Sequence, residues 1–511
     1  MPAFPSFGTV PMMPECAVLA VAQSTYFSCK DNRFMPGISA FGAYIPKRRL
    51  QRSAIAEANV WFDAGLRSHA RGERSMCNWD EDSVTLAVAA AREFAGDDTL
   101  EALTLASTST PFADRQCAGI VAEALRLHTG VRTMDVGGSQ RCATTALLTM
   151  LDTVTARHAA GLVVAADHRQ ARVGSAAEML CGDAGVALII DEGSGIAEFL
   201  GGATVSGDFI DHFRGDGERF DYEWEERWVR DEGLLKLVPT AVAQLFENTG
   251  QQASDVDHLI VATAMRRVPQ SVCRALGIDE SKLVDTLMDG CGYSGAAHPL
   301  LMLAHVLEQA DPGQKILLTG FGQGCDALLF QTTTAITAHQ SRLTVSRALR
   351  GRVEEHNYSK FQTFNGLVER EFGKRAEVDR SPALSAHNRN REMVNAFIGG
   401  KCSACGTVQF PKSHYCVNPN CGKLDTQDDQ PMADLNGTVM TYTADRLTFD
   451  LNPPAYYGLV EFEGGGRALV DFTEVDGDHF DVGTPIQMAF RIKHLDAKRG
   501  YRTYFWKAAP E

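Results

Sequence analysis

The chain has 511 residues, of which 44 % are hydrophobic and 22 % charged, and a formal charge of −15. That length exceeds one ordinary domain, and the composition is that of a soluble globular protein with ample core. The acidic balance argues against general nucleic-acid binding, which needs a basic face, while leaving room for an anionic ligand on a local basic patch. No apolar run approaches about 18 residues, so neither a transmembrane helix nor a membrane partner is expected. The N-terminus lacks the basic region, apolar core and small-residue cleavage site of an export signal, which makes the cytoplasm the expected location. Of 13 cysteines, four cluster with metal spacing and the others are scattered as buried thiols are.

Residues 1–35 carry Pro, Met and Cys without period and read as an irregular extension. Gly37–Arg48 predicts an opening strand and turn. Asp80-Glu81-Asp82-Ser83 is a helix-start signal, followed by Val84, Val88, Ala91 and Phe94 near helical spacing. Ala102–Ser107 predicts a buried strand, Thr108–Arg115 a loop and Ala118–Leu127 a helix. In Met134–Met150 a short lead-in runs through Gly137-Gly138-Ser139-Gln140-Arg141 into a run with Ala143, Ala146, Leu147 and Met150 on one face. This predicts a strand, a tight turn and the head of a buried helix. Such turns often present a nucleophile, because helix-end N–H groups stabilise a thiolate or an oxyanion, and Cys142 lies beside this one. Gly161–Asp167 and Gly182–Ile190 are further buried strands, and their alternation with helices is an α/β signature.

The second half repeats the plan. His258–Ala262 predicts a strand, Leu300–Leu307 a buried helix and Lys315–Thr319 a strand, and Gly322–Phe330 echoes Gly182–Ile190. An internal duplication is therefore expected. Between the halves, Asp208–Asp231 interleaves Phe220, Tyr222, Trp224 and Trp228 with charges. It reads either as a solvated cap packing its aromatics on the core or as a lid over a substrate tunnel. Residues 342–380, rich in both charges, read as a helical connector.

From Lys401 the composition changes. Cys402 and Cys405 form one metal knuckle, and Cys416 and Cys421 a wider second one. Four thiolates so paired suit tetrahedral zinc and leave no open position, so the metal is expected to be structural. Short strands follow over Thr438–Thr443, Tyr456–Phe462, Arg467–Phe472, Pro485–Arg491 and Tyr501–Trp506, with a hairpin at Gly464-Gly465-Gly466. They predict a small β-barrel of OB type. No dense run of Lys and Arg with stacking aromatics accompanies it, which discounts single-stranded nucleic acid.

On Gly42–Pro46, Trp79–Asp82, Asp135–Leu147, Gly182–Ala187, Gly290–Gly295 and Gly322–Gly324, residues 36–335 resemble the thiolase superfamily, and within it the hydroxymethylglutaryl-CoA synthase branch. Residues 381–511 resemble the zinc-ribbon and OB-fold partners of thiolase-like enzymes, here fused. The resemblance implies a duplicated, layered αβαβα fold, an acyl-CoA substrate and a homodimer. The expected division is 1–35 extension, 36–341 thiolase-like domain, 342–395 connector, 396–428 zinc ribbon and 429–511 OB-fold.

Synthases of this family use a Glu, a Cys and a His. Aligned on the quoted motifs, Thr108 stands at the Glu, Gln140 at the Cys, Ala262 at the His, and Cys291 where an Asn is expected. Four such differences argue against ordinary condensation through an acyl-cysteine. Three readings follow. One is an aldol-type enzyme acting on a β-hydroxyacyl-CoA, with Tyr293 and His298 as proton carriers, Cys291 or Gln140 as polar lining, and Thr108, Gly322 and Gly324 at the substrate. Another is a condensing acyltransferase that uses Cys142, although two residues along a helix turn a side chain by about 200°. The third is a non-catalytic acyl-CoA-binding scaffold.

Overall fold

The computed structural model describes residues 35–193, 195–371, 383–475 and 479–511. The extension expected over residues 1–35 lies outside them, Met35 apart.

Nine strands form one mixed sheet, and their order exposes the duplication. From the seam outward, the first half runs Pro36–Tyr44, Ala184–Glu192, Ala160–Asp167, Leu100–Ala106 and Arg132–Val136. The second half runs Ala197–Ser206, Gly324–Thr332, Lys315–Phe321 and His258–Val261. Numbered by position within each half, both read first, fifth, fourth, second. The second half's third strand is reduced to Leu283, which bridges Leu259 in parallel. The halves meet where Gly37 and Ile38 pair with Glu198 and Ala197.

Alternation along the strands builds the layers, since successive side chains point to opposite faces. Val163 and Ala165 face a middle core with the helices Cys142–Arg157 and His298–Leu307. Leu162 and Val164 face an outer core with the helices Ser83–Ala90 and Cys117–Ala124. In the second half Ile316 and Leu318 join the middle core, while Leu317 joins the helices Leu235–Thr249 and Val268–Leu276. The result is the αβαβα sandwich, with two helices buried at its centre.

The connector is not wholly helical. Strand Val353–Glu355 pairs in parallel with Arg48–Gln51, between the helices Val345–Arg350 and Tyr358–Phe364. Beyond it lie a three-stranded ribbon (Ile398–Cys402, Val408–Gln409, Gln427–Pro431) and a five-stranded sheet. The sheet order is Arg467–Asp471, Ala455–Phe462, Gly437–Asp445, Pro485–Asp496, Tyr501–Pro510. A Phe472–Ala508 bridge joins its two ends, which makes it a small barrel. The triple glycine is the hairpin between Ala455–Phe462 and Arg467–Asp471, as its sequence suggests.

The barrel is bonded to the first half through the acidic helix-start signal. Asp82 caps helix Ser83–Ala90 with one carboxylate oxygen, and the other accepts from Arg502 and Tyr504, each at 2.8 Å. Asp80 takes Lys507 at 2.9 Å, and Glu81 takes Arg491 at 3.2 Å. The barrel's last hairpin then reaches the loop after Leu100–Ala106: Tyr501 lies 5.9 Å from Phe112, and Arg115 covers both rings. No helix among the described residues is long and apolar enough to cross a membrane.

Candidate functional site

The site gathers at the heads of the two central helices. Before Cys142–Arg157, Gly138 has φ +83°, and Ser139 Oγ donates to the Gly322 carbonyl at 2.7 Å. Gly322 has φ +156°, and a Cβ there would lie 3.0 Å from the backbone N of Gln140, so only glycine brings this strand so close to the turn. Gly322, expected at the substrate, thus shapes the turn that presents Gln140, whereas Gly324 packs against Val205 and Ser206 of the adjoining strand. Arg141, Thr144, Thr145 and Thr204 all bond Asp326, which fastens the helix head to the sheet.

Gln140 is the half-buried side chain at this head, where the resemblance places a nucleophile. Its Nε2 lies 3.5 Å from His212 Nε2. Cys142 is in the middle core, 2 % exposed, and burial pushes its thiol well above the ordinary range. The reading that makes Cys142 a nucleophile therefore meets a thiol turned into the core and held neutral.

Three further side chains from that set, His298, Cys291 and Thr108, are engaged by their own surroundings. His298 is fully buried with both ring nitrogens engaged: Nε2–H donates to the Thr286 carbonyl at 2.9 Å, and Nδ1 accepts from Ser294 N–H at 3.2 Å. Burial pushes its imidazole down to about 4, against the Thr286 carbonyl, and both ring nitrogens are spent on neighbouring backbone. Cys291 is also fully buried and donates to the Leu287 carbonyl at 3.3 Å. Burial pushes this thiol up to about 12 in spite of Arg49 and Arg52. The Thr108 hydroxyl donates to Asp167 at 2.8 Å, which braces the loop.

Asp167 is the brace of the first half. It accepts from Ser107, Thr108, Ser109 and the Ala296 N–H. Gly295 passes it so closely, at φ +57°, that a Cβ would come within 2.4 Å of Asp167 Oδ2. This contact sets the turn that carries Tyr293. The Tyr293 ring lies 4.8 Å from that of His298, and its hydroxyl makes no hydrogen bond with the described residues. Burial raises the phenol well above its usual range, eased by Arg169 and reinforced by Asp211. Of the proton carriers expected from sequence, Tyr293 alone keeps a free polar atom here.

The segment between the halves contributes what the residue pattern did not reveal. His212–Phe213 and Tyr222–Glu223 form a two-stranded hairpin. Arg214 donates to the Thr108 carbonyl, and Asp221 pairs with Arg169 and Arg214. The hairpin thus lies against the loop and helix head of the site. The cap reading expected its aromatics on the core; instead Tyr222, Trp224 and Trp228 are about half exposed, and Trp228 stacks on Phe209 at 5.9 Å. Asp211 and His212 meet the site here, and the sequence marks them only as an Asp beside a His in a segment dominated by aromatics.

Cys402, Cys405, Cys416 and Cys421 converge, with all four sulfurs within 4.8 Å of one another. The Cys402–Cys421 and Cys405–Cys416 separations are 3.9 and 3.6 Å. Tetrahedral zinc with Zn–S near 2.3 Å requires sulfurs about 3.8 Å apart, so this donor set fits zinc and leaves it no open position.

Fold and site together define a thiolase-type α/β protein carrying a zinc ribbon and an OB barrel. A sequence model for the C-terminal region of 3-oxoacyl-[acyl-carrier-protein] synthase III matches residues 246–330. Models for the ChsH2 rubredoxin-like zinc ribbon and the ChsH2 C-terminal OB-fold match residues 389–426 and 429–491. The hydroxymethylglutaryl-CoA synthases of Methanocella arvoryzae and Caldivirga maquilingensis are each 30 % identical, over 58 % of this chain and 87 % of theirs. The chain belongs to the hydroxymethylglutaryl-CoA synthase family of the thiolase superfamily, with a fused ChsH2-like C-terminal region. Among solved structures, 3-oxoacyl-(acyl carrier protein) synthase III from Pseudomonas aeruginosa aligns with TM-score 0.52 at 23 % identity, over 58 % of this chain and 98 % of that one. An HMG-CoA synthase from Bacillus subtilis aligns with TM-score 0.57 at 18 % identity, over 65 % and 89 %. These two likenesses concern the fold.

Proposed function

We propose that this chain makes or breaks a carbon–carbon bond on a CoA thioester by an aldol-type route, without an acyl-cysteine intermediate. The observation that carries the reading is the amide of Gln140 at the head of the central helix, with the nearest thiol, Cys142, buried in the core. An aldol step needs proton transfer and stabilisation of a thioester enolate, and neither requires a covalent nucleophile. Tyr293, with its unpaired hydroxyl near Arg169, is the candidate acid. The barrel hairpin beside Phe112 supports a role for the OB domain at the acyl-CoA entrance. A homodimer belongs to the same proposal, supported by the edge strand Arg132–Val136, where Met134 is 40 % exposed.

The relatives favour a second reading, condensation of the kind their names describe, by an acyltransferase using Cys142. Family membership supports the condensing direction, and the burial of Cys142 is what that route would have to overcome. The deciding experiment follows β-hydroxyacyl-CoAs by mass spectrometry. Release of an aldehyde or ketone with a shortened acyl-CoA supports the aldol route. Turnover only of two acyl-CoAs, through a labelled Cys142, would replace it with the second reading.

A further inference from the structure

We propose that His212, positioned by Asp211, is the base that moves the substrate proton at this site; the assignment rests on the CoA-thioester reading above. His212 Nδ1 lies 2.7 Å from Asp211 Oδ2. An ionised carboxylate there holds the proton on Nδ1 and leaves the Nε2 lone pair facing outward. That lone pair faces Gln140, 3.5 Å away, so it is directed at the helix head where the family places its reacting sulfur. A contact of that length from a neutral amide is weak, and a substrate C–H or O–H can displace it.

The pair is also anchored better than a hairpin residue needs to be. The second oxygen of Asp211 lies 3.4 Å from the backbone N of Gln323, in the turn that presents Gln140. Arg214 ties the same hairpin to Thr108, and Asp221 ties it to Arg169. Side-chain exposures of 17 % for His212 and 10 % for Asp211 leave the imidazole reachable and the carboxylate sheltered. Glu223 faces His212 across the hairpin, and Arg169 and Tyr293 lie on the core side. The other histidines near the site are committed: His298 to Thr286 and Ser294, and His168 to Asp183 at 3.0 Å.

The step is a proton transfer that needs no co-reactant. The Cα–H bond of the thioester breaks, its electron pair passes into the enolate, and an N–H bond forms at Nε2. Reversal returns that proton, or a deuteron if the imidazolium has exchanged with heavy water. In the cleavage direction Nε2 takes the hydroxyl proton, the carbon–carbon bond breaks, and the same proton quenches the enolate.

The full-length chain in heavy water, with acetyl-CoA and propionyl-CoA as probes, tests this by deuterium uptake at the α-carbon, read by mass spectrometry. Wild type should exchange. His212→Gln should lose at least about 100-fold in exchange rate, the scale of a positioned acid–base group, while thioester binding measured by calorimetry changes little. Asp211→Asn should lose less, and Asp211→Glu should recover part of that loss, which a merely structural role would not produce. Imidazole restoring exchange to His212→Gly would support the assignment where a folding defect would not. Exchange at the wild-type rate in His212→Gln overturns the role of His212 and leaves the thioester reading standing. A wild type that binds both thioesters without exchange also overturns it. A chain that binds neither thioester overturns the thioester reading and this assignment together.

Discussion

Lys507 Nζ lies 2.9 Å from Asp80 Oδ2, with both side chains buried, so the last barrel strand, Tyr501–Pro510, is bonded to the turn that starts the helix Ser83–Ala90. With Arg491 on Glu81 and Arg502 on Asp82, three consecutive carboxylates meet three barrel cations. The turn that begins a helix in one domain is therefore the socket for the other. Removing one partner of a buried pair leaves an uncompensated charge, at a cost of about 3–5 kcal/mol. Lys507→Met should lower stability by about that amount in urea unfolding, and adding Asp80→Leu should recover much of it. A Lys507→Met loss under about 1 kcal/mol would show that this contact does not hold the domains together.

His168 and Asp183 predict a pH window. Burial disfavours the His168 imidazolium, yet Asp183 outweighs it and raises the group from its usual 6.5; burial likewise opposes the Asp183 carboxylate, and His168 lowers it from 3.8. The contribution of His168 is then fully present below about pH 6.5 and lost as pH rises through its higher folded value. That of Asp183 is present above about pH 3.9 and lost on acidification. Melting temperature should fall as pH rises above about 6.5, and this slope should be shallower in His168→Gln. An unchanged slope would show that the His168–Asp183 pair does not set this pH dependence.

His298 acts in the opposite sense. Its folded value near 4 lies below the unfolded one near 6.5, so its contribution is whole above pH 6.5 and is lost as pH falls toward 4. The full span corresponds to about 3 kcal/mol. His298→Gln should be less stable at pH 7 and lose less on acidification than wild type, while the pH dependence of turnover above pH 5 stays as in wild type. A turnover limb that disappears with His298 would restore its proton-carrier role.

The zinc ribbon should hold one metal ion per chain, measurable by atomic emission. Cys402→Ser or Cys416→Ser should lose it, and a strong chelator should unfold the ribbon, because its binding energy is folding energy. Metal content unaffected by either change would contradict the four-thiolate site.

Local spacing made part of this legible. The four cysteines and the turn before Cys142 are defined by residues a few positions apart, and strand–helix alternation carried the duplicated sandwich. Contacts between distant residues were not legible. His212 meets Gln140 across 72 positions and Lys507 meets Asp80 across 427. Neither pair leaves a local pattern. Cys291 and His298 show the converse: their residue types suggested chemistry, but each side chain points into the core and is satisfied there by a neighbouring backbone carbonyl. Residue type is visible in a sequence, whereas the direction of a side chain depends on the packed turn. Tyr293 differs from both in that its hydroxyl has no hydrogen-bond partner among the described residues.

The proposed aldol-type route requires that no acyl-enzyme form. Its most direct test is the intact mass of the full-length protein after incubation with a panel of acyl-CoAs, alongside Cys142→Ala. Unmodified mass is expected in both. An added acyl group on the wild type, absent from Cys142→Ala, would contradict it and make Cys142 the nucleophile of a condensing acyltransferase.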